Sequence, residues 1–176
     1  YLAPEERYAY KLQIRNGKFY NRTGKLFDTV DRGADGRAIY VMQGDGEIMA
    51  EQYRTSGVFH HSSFNAGGPV ASPGEFEVIK GQLQHVTDLS GHYLPLPWFT
   101  RQFLVELKRK GVDLSYVTVE FTRWSRLGPV LADEVIRYVD KKDAGCMQLF
   151  KYLIEINRDP GQVAYAATKL LPLDAN

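Results

Sequence analysis

"GEFEVIKGQLQHVTD", residues 74–88, decides the fold class. Apolar and polar residues alternate on both sides of Lys80-Gly81, the period of a strand with one buried face. A glycine at the midpoint supplies the positive φ that a tight hairpin turn needs. The stretch therefore reads as two antiparallel strands. Working outward, the pattern recurs twice upstream. "YKLQIRNGKFY" (10–20) turns at Asn16-Gly17, and "AIYVMQGDGEIMA" (38–50) turns at Gly44-Asp45-Gly46. "GVFHHSSF" (57–64) is a further strand candidate. Between the first two hairpins, "RTGKLFDTVDRGADG" (22–36) is polar and glycine-rich and is expected to be a mobile loop.

Downstream the period changes. "PWFTRQFLVELKRKG" (97–111) sets Phe99, Phe103 and Leu107 four residues apart, one face of a helix. Pro97 suits its first turn, and Lys108, Arg109 and Lys110 suit its negative end before Gly111 stops it. "LSYVTVEF" (114–121) is rich in β-branched and aromatic residues and reads as a strand. "PVLADEVIRYVDKKDAG" and "CMQLFKYLIEI" read as two more helices, with apolar positions Leu131, Val135 and Tyr138, then Met147, Phe150 and Ile154. A short strand is expected near "QVAYAA". The sum is α+β: one compact domain over residues 1–176, of twisted, mostly antiparallel sheets with flanking helices.

Composition agrees with a globular chain. Of 176 residues, 44% are hydrophobic and 24% charged, and the net charge of +1 gives no global attraction to nucleic acid. No apolar run is long enough to span a membrane, so no membrane partner is expected. The single cysteine, Cys146, forms no internal disulfide and reads as a buried thiol. The chain opens on Tyr1 rather than Met, which suggests a tail excised from something longer. It is expected to be monomeric.

All four histidines, His60, His61, His85 and His92, fall between positions 60 and 92. They lack the HxxxH helical spacing of a zinc site and a carboxylate at fixed offset, so no metal is expected. Strand alternation puts His61 and Ser63 on one face and His60 and Ser62 on the other. His61 and Ser63 can then look into a cleft, or be two satisfied polar groups at a strand end. In "SGHYLPLPW" (90–98), Pro95 and Pro97 stiffen the chain after Tyr93, giving a fixed aromatic face fit to stack on a planar ring. "NAGGPVASPGE" is glycine-rich but fails the patterns of dinucleotide and phosphate loops. Arg37 and Glu120 are charged residues within apolar strands, at edge or outward-facing positions.

The run from Gly57 through "HSSF" to "SGHYLP" resembles a domain of plant IQ-motif calmodulin-binding proteins. It resembles equally a domain at the C-termini of bacterial polymorphic toxins and effectors, such as Rhs-repeat proteins. The resemblance covers roughly residues 8 to 116, and no IQ segment itself is visible. Part of the pattern also resembles the histidine–tyrosine–glutamate ADP-ribosyltransferases, since Tyr93 follows His61 by 32 residues. That resemblance implies an ADP-ribosyltransferase-like fold that binds NAD as substrate, without metal. His61 would hold the nicotinamide ribose, Tyr93 would stack on the nicotinamide, and Glu120 would be the catalytic carboxylate. Glu75, Glu77 or Glu134 could replace Glu120. Ser62 and Ser63 would line the same site, and a variant using arginine and serine would recruit Arg37 and Ser63.

The expected function is then a toxin or effector that moves ADP-ribose from NAD to a macromolecular acceptor, protein or structured RNA. It would be delivered from a producing bacterium into the cytoplasm of a target cell and neutralised by a cognate immunity protein. Basic clusters at Lys108 to Lys110, Arg123 and Arg126, with Trp124, leave an RNA acceptor open. Two other readings stand beside it. One is a non-enzymatic protein-binding module. The other is a metal-independent ribonuclease using His60 or His61 as general base.

Overall fold

The three hairpins form where the turn chemistry puts them. Asn16 and Gly17 take φ of 52° and 74°, and Lys80 and Gly81 take 48° and 79°. Both are two-residue turns with positive φ at both central positions. The computed structural model describes residues 4–30, 35–51, 72–90, 95–122, 128–142 and 147–156. The strands are β1 (Lys11–Arg15), β2 (Lys18–Tyr20), β3 (Ala38–Met42), β4 (Ile48–Ala50), β5 (Ser72–Ile79), β6 (Gln82–Thr87), β7 (Thr118–Glu120) and β8 (Val130–Leu131). The helices among the described residues are α1 (Pro4–Tyr8), α2 (Pro97–Arg109), α3 (Ala132–Tyr138) and α4 (Met147–Glu155).

The fold is α+β, with one eight-stranded sheet rather than several, in the order β2-β1-β4-β3-β5-β6-β7-β8. Every pairing is antiparallel except β6 with β7. The exception follows from α2, which carries the chain back along the sheet between those two strands. Tyr40, Phe76 and Phe103 pack at the centre, with Tyr40 stacked on Phe103 at 4.2 Å between ring centroids. They join α2 to one face of β3 and β5. Gly74 sits against this cluster, where a Cβ would collide with the Tyr40 ring and the Thr87 carbonyl oxygen.

Several expectations need correction. The loop 22–36 is not free where it is described. Phe27 and Thr29 are buried, and the Phe19, Gly81 and Phe27 amides hydrogen-bond in a ring. Phe19 N–H donates to Gly81, Gly81 to Phe27, and Phe27 to Phe19. The edge strand β2 is thereby folded back onto the β5–β6 turn.

The buried face of α2 is Thr100, Phe103, Leu104 and Leu107, with Phe99 only half-buried. α4 buries Leu149 and Leu153, while Met147 and Ile154 are exposed. The strand expected over 114–121 shrinks to three residues, because Leu114 to Val117 form a turn. The helix expected from Pro129 starts at Ala132, after the short strand β8 pairs with β7. The strands expected at 57–64 and near "QVAYAA", and Cys146, lie outside the described residues.

Candidate functional site

The alternation that buries Phe76 on one face of the sheet sends polar residues to the other. The registers line them up in two rows. Across β3, β5, β6 and β7, Glu77 stands opposite His85, and His85 opposite Thr118, with Arg37 at the head of the row just before β3. The next row is Ile39, Glu75, Thr87 and Glu120. Neighbouring strands are about 4.8 Å apart, so the Glu75 and Glu120 backbones stand about 10 Å apart with Thr87 between them. Thr87 and His85 are buried, while Glu75, Glu77 and Glu120 are half-buried.

The charges on this face differ in how they are held. Arg37 Nε donates to Glu77 Oε1 at 3.2 Å, a half-buried ion pair. His85 Nδ1 and Thr118 Oγ1 share a hydrogen bond at 2.6 Å. Burial, together with the nearby Arg37 charge, lowers the His85 pKa to about 4, against the weaker opposing effect of Thr118. His85 is therefore a neutral imidazole that spaces the sheet. Glu134, one of the alternative carboxylates, accepts from the Leu131 amide at 3.2 Å and closes the first turn of α3. Glu75 is engaged in a contact of its own. The Glu120 side chain takes no hydrogen bond or ion pair among the described residues.

The sheet also fixes which end of this face is relevant. β5 starts at Ser72 and β6 finishes at Thr87 at the end of the sheet where Glu120 stands. The following residue, Asp88, is buried and accepts from the Thr122 amide at 2.7 Å, locking the exit of β6 to the exit of β7. Just below, the buried Tyr40 hydroxyl lies 3.4 Å from Ser72 Oγ, and its pKa is raised by burial.

Of the residues singled out in the sequence, Arg37, Glu75, Glu77 and Glu120 thus share one face, and neither Arg37 nor Glu120 belongs to an edge strand. Glu134 stands apart from them, in α3. His60, His61, Ser62, Ser63, His92 and Tyr93 lie outside the described residues, as do Arg123, Trp124 and Arg126. Thr87 and Asp88 were missed, although "VTDLSG" carries the turn-forming Asp and Ser that mark a strand end. Among the described residues no group of three or more His, Cys, Asp or Glu could hold a metal ion, and no helix is long and apolar enough to cross a membrane.

A family model described as the IQ motif-containing protein middle domain matches residues 6–97, more than half of the chain. The chain belongs to that family. The chain is 34% identical over 124 residues to the IQ domain-containing protein IQM2 of Arabidopsis thaliana, covering 69% of this chain and 20% of that protein. It is 36% identical over 120 residues to IQM3 of the same plant, covering 68% of this chain and 26% of IQM3. The chain thus spans a fifth to about a quarter of the curated relatives. No solved structure matches it. The match takes in β1 through β6, the polar face up to Thr87 and the first residue of α2; Glu120 lies beyond it.

Proposed function

We propose that this chain transfers ADP-ribose from NAD to a macromolecular acceptor, protein or structured RNA. In this reading His61 holds the nicotinamide ribose beside Ser62 and Ser63, Tyr93 stacks on the nicotinamide, and Glu120 is the catalytic carboxylate. The observation that carries it is the Glu120 carboxylate, half-buried where β6 and β7 end and without a hydrogen bond or ion pair among the described residues, whereas Glu75, Glu77 and Glu134 are engaged. The chain leaves β6 there on its way to Tyr93.

The chemistry needs such a group. Breaking the bond from nicotinamide to ribose builds positive charge on the sugar, as in glycoside cleavage. A carboxylate held close in a site of low dielectric stabilises that charge as it forms. An unpaired carboxylate serves this purpose better than Glu77, whose charge Arg37 already balances. Arg37 is accordingly assigned a structural part, and its recruitment to NAD would require breaking that pair. Delivery into a target cell and a neutralising immunity protein complete the proposal.

Incubation with radiolabelled NAD and cell lysate is the test. Label should pass to protein or RNA. Glu120→Gln, which keeps the shape and removes the charge, should lower the rate about 10²- to 10³-fold, the scale for losing one electrostatic contact at the reacting centre. His61→Ala and Tyr93→Ala should raise the KM for NAD. Full activity in Glu120→Gln would remove the carboxylate assignment. A folded chain that transfers no label would leave the binding-module reading, and RNA shortened without NAD would establish the ribonuclease.

A further inference from the structure

Residues 7–25 carry six cations, Arg7, Lys11, Arg15, Lys18, Arg22 and Lys25, and no carboxylate. The whole chain has a net charge of +1, so subtracting this segment's +6 leaves −5 for the rest. Three of these six, Lys11, Arg15 and Arg22, line one groove of about 650 Å³ together with Lys110; it runs along β1 beside the β3–β4 turn and the end of α2. The groove exists because β1 leaves β4 early. Their pairing stops at Leu12 with Ile48, and β1 then continues with β2 alone.

The basic side chains differ in how they are held. Lys11 is paired with Glu47 at 2.8 Å, and Lys110 donates to the Gly46 carbonyl oxygen at 2.7 Å. Arg15 and Arg22 have no carboxylate partner among the described residues. Each guanidinium lies over an aromatic ring, Arg15 4.3 Å from the Tyr20 centroid and Arg22 4.0 Å from that of Tyr8. Both are exposed. Stacking holds the planar heads in place while leaving their charge and N–H donors to solvent.

We infer that this groove binds the phosphodiester backbone of a nucleic acid. Exposed, un-neutralised guanidinium groups beside aromatic faces are the chemistry that tracks a phosphate backbone. An acidic peptide fits less well. It would add as a strand, yet past Leu12 only Ile14 turns its backbone groups toward the groove, because Gln13 and Arg15 pair with β2. The basic run expected at the end of α2 is a poorer candidate. Lys108 lies 3.7 Å from Asp133, and Arg109 is paired with Glu106. The inference stands on the groove alone and does not require NAD chemistry.

Fluorescence anisotropy of the chain with a labelled RNA hairpin, and with a DNA duplex of the same sequence, tests it in the absence of NAD. The expected result is binding of at least one of them that weakens steeply with salt, the tighter arm naming the source of the phosphates. The double variant R15Q/R22Q should bind about tenfold more weakly, with a slope of log affinity on log salt shallower by about two. R22Q alone, in an exposed turn, should lose about half of that slope change. K108Q/R109Q, with an unchanged circular dichroism spectrum, should bind as the parent does. The inference is overturned if neither nucleic acid binds, if polyglutamate of matched charge displaces them equally well, or if both arginine variants bind like the parent. Because binding is read without NAD, its failure and that of ADP-ribosyl transfer are separate results.

Discussion

His85 shows how a residue's role comes from what its strand faces. Its imidazole sits between Glu77 and Thr118 in the sheet register, buried, with a pKa lowered to about 4 from 6.5. In this window the unfolded chain binds a proton that the folded chain refuses, so stability rises with pH. As pH falls from above 6.5 to about 4, this residue should withdraw about 3 kcal/mol of stability, at about 1.36 kcal/mol for each pH unit of that window. Urea unfolding across that range should therefore fall more steeply for the parent than for His85→Gln, which can still bond Thr118. Equal slopes would show that the imidazole charges in place. The sequence shows all four histidines in less than a fifth of the chain, between positions 60 and 92; it does not show which of them faces buried threonine. Glu77 was indistinguishable from Glu120 for the same reason, since a partner 40 residues away, Arg37, leaves no local trace. The Glu134 bond to the Leu131 amide, three residues back, was local but hidden because the helix was expected to start at Pro129.

At the scale of elements, turn chemistry was more legible than helical faces. Asn16-Gly17 and Lys80-Gly81 demanded positive φ and received it, because that constraint is local. The apolar stripe of α4 was misread because Met147, Phe150 and Ile154 match the helical period as well as Leu149 and Leu153 do. The neighbour decides between them. α3 packs on the Leu149 side, where Tyr138 stacks on Tyr152 at 4.0 Å between centroids. Leu153→Ala, at 3% exposure, should then destabilise by about 2–5 kcal/mol. Ile154→Ala, at 77% exposure, should stay within about 0.5 kcal/mol. Thermal melts of the two variants check this, and a reversed order would mean that the stripe read from the sequence is the buried one. β7 was overestimated in length because β-branched residues favour a strand only where the backbone stays extended, and the Val117 amide instead closes a turn onto the Leu114 carbonyl.

The whole molecule depends on a connection that composition made look expendable. Residues 26–30 sit inside the polar, glycine-rich stretch 22–36, yet they hold β2 against the β5–β6 turn and leave the strand no free edge there. Thr29 carries the joint. Its amide donates to the Val78 carbonyl at 2.8 Å, and its hydroxyl accepts from the Val78 amide at 3.0 Å. Alongside, Asp28 Oδ2 accepts from the Lys80 amide at 2.8 Å. No periodicity reveals such a bond, because it joins residues 49 apart through one side chain. Thr29→Val keeps the volume and strands a buried N–H, which costs about 1–3 kcal/mol. The loss should be local in hydrogen exchange. The Phe19, Phe27 and Gly81 amides, which form one ring, should lose protection together, while the amides of β3 keep theirs. If the β3 amides loosen to the same extent, the fold-back is part of the global cooperative unit. Its integrity would then bear on the Arg37–Glu77 pair and on Glu120 as well as on the basic hairpin. If they do not, the hairpin bearing Arg15 can open while the polar face of β5, β6 and β7 stays formed.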